Sequence, residues 1–410
     1  AEAQEYGGVL KINALKNQNL LLRLSQRELK VLREDLLNQE PDNSLLGRLE
    51  HRLNLWRGTV QSNLFYELGS GLEQQREFVY LEVPAGQGAF VWNDYDGDGV
   101  RDLDEFEIAP FAFEANFIRS WVPSNQYVRT FSNQFSETIT LQPARVWQSK
   151  TGWKKAISKF SNTAAYRIER RTNQENGFDR FNPLARDIAD ESLISMLHSF
   201  RNNLAFNRTG SVFGLEYTFQ DQRNRNLLAN GFESRSNRFN ELGVRYNLGK
   251  GVTLLVNQSI GTRRAFSDFL SGRNYTIDYQ TAEPELQWQP NTTTRVALKG
   301  RYTVKNNDED LGGEKAEIQD VGVEVKTTDP GKGLVQAEVH WVNITYDGEG
   351  NNALSFEMLE ALQTGRNITW TASVQRTLGK NLQLNITYNG RTSEDQPAIH
   401  TGGIQVRAFF

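Results

Sequence analysis

The sequence predicts an all-β fold: a transmembrane antiparallel meander β-barrel of about 12–14 strands, preceded by a β-rich domain. Three observations predict this class. Short segments of alternating apolar and polar residues recur through the C-terminal part of the chain. Tight turns alternate with longer polar loops between these segments, as they do in outer-membrane barrels, and Asn224 to Arg238 is one of the predicted loops. The chain also ends in an alternating strand with an aromatic residue, Phe410, at its last position.

The composition excludes several classes of protein. The 410 residues have a mean hydropathy of −0.59, and no run of about 18 apolar residues occurs, so no transmembrane helix is predicted. A formal charge of −4 gives no reason to expect nucleic acid as a partner. The absence of cysteine excludes disulfides and thiolate metal sites. The chain begins at Ala1 without an apolar signal segment, so we expect the C-terminal piece of a longer protein rather than a processed chain.

Residues 1–135 are predicted to form the β-rich domain. The alternation is clear from Val60 to Leu68, whereas Gln26 to Leu37 could form a short amphipathic helix instead of a strand. Two further strands, Phe78 to Val83 and Ala89 to Trp92, are separated by a turn rich in glycine. This domain is therefore expected to be mostly β.

The sharpest motif of the chain, DYDGDGVRDLDE, follows directly at residues 94–105. Aligned as a twelve-residue calcium loop, it has carboxylates at positions 1, 3, 5, 9 and 12 and glycine at position 6. Ca²⁺ prefers hard oxygen ligands, and the glycine permits the sharp reversal of the loop. The predicted ligands of a structural Ca²⁺ are five carboxylates and one backbone carbonyl, from Asp94, Asp96, Asp98, Val100, Asp102 and Glu105.

The surroundings of this loop favour a structural clamp over a calcium switch. Arg101 stands at position 8, where a helix-loop-helix hand has an apolar residue, and a strand rather than a helix leads into the loop. The alternative is a solvated acidic turn that uses aspartate and glycine only for backbone geometry.

Residues 136–410 are predicted to form the outer-membrane β-barrel. A soluble β-sandwich or β-solenoid is the alternative, because periodicity alone does not distinguish polar lumen residues from residues that face bulk water. The sorting of tight turns and long loops favours the barrel. About twelve strands begin after Ala164, and fourteen result if Glu137 to Trp147 and Trp153 to Lys159 are included. Aromatic residues near the ends of lipid-facing stretches predict an interfacial girdle of Tyr246, Tyr302, Trp341, Trp370, Tyr388 and Phe410.

Several motifs before the barrel resemble those of large outer-membrane proteins of the Bacteroidota. They are YELGSG at 66–71, PAGQG at 84–88, WNDYDGDG at 92–99, DEFE at 104–107 and PSNQYV at 123–128. The resemblance covers roughly three quarters of the chain. It implies that the protein is located in the cell outer membrane, at the surface of such a bacterium. It brings no assigned reaction and no catalytic residues.

The sequence leaves three functional classes open. We expect a structural or anchoring role within a larger outer-membrane complex for secretion or assembly, with lipid and other outer-membrane or periplasmic proteins as partners. The alternative is a porin or transporter, and a membrane-embedded hydrolase is third, because the four histidines form no recognisable catalytic motif. An anchor predicts a lumen plugged by its own segments. A pore predicts an open lumen lined by Arg295, Lys299, Arg301, Glu324 and Lys326.

Overall fold

A computed structural model gives the fold of most of the chain. It describes residues 2–13, 16–30, 42–173, 181–183, 193–210, 212–228, 231–268, 271–379, 381–394 and 396–408. The end of the last strand at Phe410 lies outside these residues. Among the described residues, no helix combines the length and the hydropathy needed to cross a membrane.

Strands contain 70% of the described residues, and α- and 3-10 helices together contain 8%, so the protein is all-β. The strands are β1 (Glu2–Ile12), β2 (Gln18–Lys30), β3 (Asp42–Leu55), β4 (Val60–Glu82), β5 (Phe90–Trp92), β6 (Phe106–Ile108), β7 (Phe117–Leu141), β8 (Phe160–Thr172), β9 (Leu193–Phe206), β10 (Phe213–Leu228), β11 (Gly231–Gly249), β12 (Val252–Ser267), β13 (Tyr275–Trp288), β14 (Thr294–Asn307), β15 (Lys315–Asp329), β16 (Gly333–Asp347), β17 (Gly365–Leu378), β18 (Leu382–Ser393) and β19 (Ile399–Ala408). Three short helices are α1 (Ala144–Trp147), α2 (Trp153–Ile157) and α3 (Ala353–Leu359).

Seventeen strands form one antiparallel meander, so the predicted transmembrane meander β-barrel is confirmed. Each strand pairs with its neighbour in the chain, except that β4 pairs with β7 across the short hairpin of β5 and β6. Twelve of the strands, β8 to β19, follow Leu141, as the lower count predicted. The total exceeds 14 because β1 to β4 and β7 also belong to the wall.

The predicted boundary between residues 135 and 136 lies inside β7, and strands on both sides of it belong to the same sheet. The sequence suggested a separate domain because alternation is less regular there than in β14 to β19. In β2, for example, three leucines in a row, Leu20 to Leu22, interrupt the pattern, yet all three pair with β3.

Three local expectations differ from the structure. Glu137 to Trp147 and Trp153 to Lys159 are not two further strands: β7 ends at Leu141, and α1 and α2 follow. The two helices are joined by an edge-on contact between Trp147 and Trp153, so these aromatics pack on each other rather than in a sheet. The described part of the possible helix from Gln26, up to Lys30, continues β2; the remainder of that segment lies outside the described residues.

Consecutive connections fall at opposite ends of the barrel. The C-terminal ends of β1, β3, β7, β9, β11, β13, β15 and β17 lie at one end of the barrel, which we call the turn end. The C-terminal ends of β2, β4, β8, β10, β12, β14, β16 and β18 lie at the other, which we call the loop end. Most connections of the turn end are tight, and most of the loop end are longer. The hairpin between β10 and β11 is an exception, because the two strands stay paired from Asn224 to Leu228 and from Gly231 to Arg238, within the segment where the sequence predicted a loop.

The outer face of the meander is apolar and exposed. Strand register places Leu298, Val323, Val339 and Trp370 side by side on four adjacent strands. Val339 is 52% exposed although its strand has a partner on each side. An apolar band of this kind is unfavourable in water and favourable in a hydrocarbon layer, so this face contacts lipid. Four of the predicted girdle aromatics are on the exposed outer face, namely Tyr246, Tyr302, Trp341 and Tyr388.

Candidate functional site

Two segments from the loop end fold into the space enclosed by the sheet. We call residues 83–116 the plug hairpin and residues 348–364 the α3 loop. The plug hairpin leaves the sheet between β4 and β7 but reaches residues of distant strands. Arg391 of β18 donates to both carboxylate oxygens of Glu114, at 2.7 and 3.1 Å. Arg273, beside β13, contacts Glu107 at 2.8 Å, and the side chain of Asn351 in the α3 loop donates to the Tyr95 carbonyl. The plug hairpin therefore crosses the lumen.

The base of the plug hairpin is built from aromatic rings. Phe106 is buried, stacks on Tyr80 with ring centroids 4.0 Å apart, and meets Phe117 edge-on at 5.0 Å. Gly88 lies so close to the chain opposite that a Cβ there would stand 2.6 Å from the backbone N and O of Phe117. Only glycine fits at this crossing, which fixes how the hairpin leaves the sheet.

The α3 loop is held by a capped helix with an apolar face. Asn352 caps α3 by accepting from the Ser355 N–H at 2.7 Å. Met358 is fully buried and packs with Leu354 against Tyr275 and Ile277 of β13. A second cluster joins the end of α3 to β15 and β16 and includes Phe111 of the plug hairpin among Ile318, Val342, Ile344, Leu359 and Leu362. Both inward segments thus share one small core against the wall.

Glu360 ends α3 in the left-handed conformation, with φ of 57°, where glycine is the usual residue. Its carboxylate lies 2.7 Å from Arg301 and 3.0 Å from Lys305, two cations of β14. Burial by itself raises the pKa of this carboxyl, but Lys305 and Arg301 outweigh burial and lower that pKa from 4.5 to about 2. A strained backbone position is thus occupied by the residue that ties the α3 loop to the wall.

The two cations that bind Glu360 belong to a longer row of alternating charges on the inner face, which we call the charge ladder. Glu324 pairs with Arg295 and, at 2.7 Å, with Lys299, which also contacts Glu338. His340 lies 2.7 Å from Glu338 and 2.6 Å from Asp320, and Asp320 meets Arg301 at 3.4 Å. In order, the ladder is Arg295, Glu324, Lys299, Glu338, His340, Asp320, Arg301, Glu360 and Lys305. Each charge has partners of the opposite sign, which offsets the cost of partial burial.

Sequence reasoning identified only part of this ladder. Arg295, Lys299, Arg301 and Glu324 were predicted to line the lumen, and the structure places all four on the inner face in ion pairs. His340, the link between two carboxylates, was treated as one of four scattered histidines. Its signal was its position: strand register sets it opposite Gly322, whose missing side chain leaves room for the imidazole ring.

Two cavities lie against the wall. One, of about 560 Å³, lies between the α3 loop, residues 108–110 of the plug hairpin and β10 to β13, with Gln222, Arg235, Asn237, Arg263, Tyr275 and Glu357 among its lining residues. Arg263 forms an ion pair with Glu357 there. A second cavity, of about 320 Å³, is lined by Glu67, Asn133, Glu169 and Asn226, and Asn224 of β10 lines both cavities. Volumes of this size hold water and small solutes.

The acidic loop lies on the plug hairpin, and the structure brings three of its six predicted ligands together. Asp94, Asp96 and Asp98 each offer a carboxylate oxygen within 4.8 Å of the others; among the described residues they form a group that Asp102 and Glu105 do not join. Asp94 accepts from the N–H groups of Gly97 and Gly99. Val100 donates its N–H to Asp98. These contacts keep three carboxylates close together, so this half of the loop offers hard oxygen ligands of the kind that Ca²⁺ prefers.

Glu105 has other partners. Its side chain is buried, 4% exposed, and accepts from Trp92 Nε1 at 2.7 Å, from the Tyr95 N–H at 2.9 Å and from the Asp102 N–H at 3.3 Å. It thereby ties the two ends of the acidic loop to β5. Asp102 is exposed; partial loss of hydration, and then the charges of Asp98 and Asp104, raise its pKa. The loop therefore repels itself, as a loop that binds a cation would in the free state.

No protein-family model matches the chain, and no curated protein matches it. Among solved structures, the FrpB iron transporter from Neisseria meningitidis (F5-1 variant) is similar with a TM-score of 0.45 and 10% identity, covering 95% of this chain and 60% of that one. The ferric-catecholate import receptor Fiu from E. coli K12, in its open form, has a TM-score of 0.41 and 9% identity, covering 95% of this chain and 64% of that one. The chain thus spans less than two thirds of the length of each. Similarity at this level does not extend to substrate or mechanism.

Proposed function

We propose that the chain forms a transport barrel of a bacterial outer membrane, whose loop end is closed by the plug hairpin and the α3 loop. The observation that carries this proposal is how the two segments are attached. They meet the distant wall through side chains, Glu114 to Arg391 and Glu107 to Arg273, rather than through strand pairing. Side-chain contacts are broken and reformed more easily than a backbone ladder, so such segments suit a gate.

The lumen beneath the gate also suits passage of a polar solute. Its charged residues are paired with each other in the charge ladder, and water-sized space remains beside them. Because the charges are paired, a solute that enters meets hydrogen-bonding groups without a large field of one sign. Transport is the alternative that the sequence predicts, and the side-chain attachments of the two segments favour it over pure anchoring.

The test is conductance of the purified chain in planar lipid bilayers. We expect low conductance from the native chain and frequent opening from the double variant Glu114→Gln with Arg273→Gln, which weakens both attachments. Glu309→Gln in the exposed 308–314 loop is the matched control and should behave as the native chain does. The proposal would be overturned if neither the native chain nor the double variant conducts ions in bilayers or makes liposomes permeable.

An assembly role is the second candidate, and the exposed carboxylates of Asp96 and Asp98 on the plug hairpin favour it, because they offer a charged surface to a partner. The partners would be other outer-membrane or periplasmic proteins. The chain would be located in the outer membrane of a Bacteroidota-like bacterium. Gentle-detergent purification from native membranes with mass spectrometry tests this: stoichiometric partners support assembly, and a clean monomer opposes it.

We further propose that Asp94, Asp96 and Asp98 bind a structural Ca²⁺, with Val100, Asp102 and Glu105 completing or supporting the site. A bound cation would neutralise the repulsion within the loop and stiffen the plug hairpin. Purification with calcium and then with a chelator extends the experiment above, because loss of a partner on chelation would locate the loop at an interface.

A further inference from the structure

One row of side chains on the lumen face crosses β11, β12 and β13 beneath the α3 loop. Strand register pairs Arg235 of β11 with Ala265 of β12, and Ala265 with Tyr275 of β13. Tyr275 packs against Leu354 and Met358 of the α3 loop, so the row faces the lumen. Because Ala265 has only a methyl group, the long side chains of Arg235 and Tyr275 stand above it on either side of one space.

Arg235 is the unmatched cation of a group of charges around this row. Three ion pairs lie around it, namely Arg119 with Glu233 at 3.1 Å, Arg273 with Glu107 at 2.8 Å, and Arg263 with Glu357. Each of these carboxylates acts electrostatically on Arg235 but is already held by another arginine. The contact between Arg235 and Glu233 is 3.7 Å, which is too long for a hydrogen bond. In this group of described residues, four arginines thus share three carboxylates, which leaves one positive charge in excess.

The donors of Arg235 are available to a ligand. Its guanidinium has five N–H donors, and no hydrogen bond within the described part of the chain uses any of them. The side chain is 32% exposed, and it lines the cavity of about 560 Å³ described above. Water that enters this cavity hydrates the donors but does not balance the excess charge. An oxyanion does both, because a guanidinium binds it through two parallel hydrogen bonds.

Tyr275 adds a neutral donor next to this guanidinium. It is 7% exposed, and its hydroxyl has no hydrogen-bond partner among the described residues. The charges of Arg235, Arg263 and Glu357 all act on this hydroxyl, which places its oxygen on the cavity side rather than in the apolar core of the α3 loop. The hydroxyl of a buried tyrosine usually has a partner. A ligand in the cavity would supply the partner that Tyr275 lacks.

The remainder of the cavity suits the body of a small organic molecule. Its apolar lining includes Ile108 and Pro110 of the plug hairpin and Phe356 of the α3 loop, and its amide lining includes Gln222 and Asn237. Ligand pockets commonly have volumes of about 300–1,000 Å³ and mostly apolar linings, with a few polar groups that fix the orientation of the ligand. The cavity of about 560 Å³ has this size and this kind of lining.

We propose that this cavity binds a small organic solute with a single carboxylate. Arg235 donates to both carboxylate oxygens, and Tyr275 donates a third hydrogen bond to one of them. One negative charge balances the single excess positive charge, whereas a phosphate monoester, with a charge of about −1.5 to −2 at pH 7, exceeds it. The inference names the substrate class of the proposed transport and in that respect rests on the proposed function, but binding is measured without passage.

The test is equilibrium dialysis of radiolabelled benzoate against the folded, purified chain in detergent, with empty micelles subtracted. Benzamide is the matched ligand, because it has the shape of benzoate without the charge. The variants are Arg235→Gln, which removes the guanidinium, and Tyr275→Phe, which removes only the hydroxyl. Arg238→Gln is the matched control, because its side chain lies on the opposite face of β11, over the ring of Phe219. Heat-dependent electrophoretic mobility verifies the fold of each variant, and Tyr275→Phe decides the test if Arg235→Gln does not fold.

We expect benzoate to bind the native chain and the Arg238→Gln variant equally. Benzamide should bind the native chain at least about tenfold more weakly, as should benzoate the Arg235→Gln variant, because a charge-assisted pair is lost. Tyr275→Phe should weaken benzoate binding about threefold to tenfold. Equal affinities of the native chain for benzoate and benzamide, or an unchanged benzoate affinity in a folded Arg235→Gln variant, would overturn the proposal. Tighter binding of phenyl phosphate than of benzoate would overturn the choice of a carboxylate.

Conductance separates this inference from the proposed function. Benzoate binding together with closed bilayers from the double variant of Glu114 and Arg273 would overturn transport and support the site. Open bilayers from that double variant, without benzoate binding to the native chain, would overturn the site and support transport.

Discussion

Arg391 and Glu114 are 277 residues apart in the chain, yet they form a two-pronged ion pair across the lumen, with both side chains about 16% exposed. Replacing Glu114 by glutamine keeps the size of the side chain and removes its charge. We expect the loss of a charge-assisted pair to cost about 1.5–3 kcal/mol of plug docking. Amide exchange of residues 83–116, followed by mass spectrometry, should accelerate, while exchange of β15 should not change. Unchanged exchange in the plug hairpin would contradict the attachment.

Glu360 provides a test of backbone strain against ion pairing. Glu360→Gln removes the charge that Arg301 and Lys305 share, and breaking a buried pair costs about 3–5 kcal/mol. Glu360→Gly loses the same pair but relieves the left-handed backbone, so it should be less destabilising by about 1 kcal/mol. Urea unfolding in detergent or lipid measures both. If the glycine variant were the more destabilised, conformational strain would not matter at this position.

The same residue gives a pH dependence with a definite sign. The pKa of Glu360 is about 2 in the docked α3 loop and near 4.5 when the loop is free. A lowered folded-state pKa contributes stability that is present above pH 4.5 and is lost as pH falls towards 2. Glu107 acts oppositely: burial raises its pKa more than Arg273 lowers it, so acidification favours the docked plug hairpin at that site. In the native chain, amide exchange of the α3 loop should be faster at pH 3 than at pH 6. In the Glu360→Gln variant, exchange of that loop should be the same at both pH values.

Gly322 should be irreplaceable because of His340. A Cβ at Gly322 would lie 2.5 Å from the imidazole ring, which Asp320 and Glu338 hold in place. Gly322→Ala therefore displaces His340 and divides the charge ladder at its centre, with a cost of about 1–3 kcal/mol. Gly402→Ala on β19 is the matched control, since its Cβ meets nothing closer than 3.6 Å. Equal urea midpoints for the two variants would contradict the packing.

Lipid contact of the outer face predicts a strong effect of charge. Val323→Arg places a cation in the apolar band and should cost about 2–4 kcal/mol in a bilayer. Lys326→Arg, a change of one cation for another on the same strand, is the control. Folding yield in lipid vesicles, read by electrophoretic mobility, measures the difference. If Val323→Arg folded as well in vesicles as the native chain, this face would not be in the membrane.

The acidic loop can be tested with terbium, whose luminescence is sensitised by nearby aromatic residues such as Tyr95. Asp96→Asn removes a carboxylate of the group within 4.8 Å and should weaken Tb³⁺ and Ca²⁺ binding at least tenfold. Asp104→Asn is the matched control, because Asp104 is acidic but was not a predicted ligand. Glu105→Ala should instead change the Trp92 emission, since the indole loses its acceptor. Equal metal affinity for Asp96→Asn and the native chain would exclude the site.

The sequence was sufficient to predict a strand where one face of that strand is buried or in lipid and the other face is polar. Val321, Val323 and Val325 alternate with Gly322 and Glu324, so both the strand and its lipid face were predictable. It was insufficient where contacts are distant in the chain. Nothing local indicates that Glu114 meets Arg391 or that Glu360 meets Arg301. Both carboxylates stand in loops, where solvated acidic residues are the ordinary expectation.

Helices α1 and α2 and the long hairpin of β10 and β11 were missed for a related reason. Polar residues such as Asn224 and Arg238 resemble a loop, yet they continue a strand pair beyond the apolar band, because backbone pairing does not require apolar side chains outside the membrane. The length of these strands is therefore set by the neighbouring strands rather than by their own hydropathy.

The order of strand pairing also determines which folding step is slow. Most strands pair with the next strand in the chain, so hairpins can join the sheet one after another across short connections. β4 and β7 must instead close about 34 residues, which by loop-closure entropy costs about 2 kcal/mol more than the three-residue turn between β15 and β16. A chain that inserts before this closure would expose the edges of β4 and β7 together. A cation bound early to the acidic loop would shorten the free chain and speed the joining of the two halves of the wall.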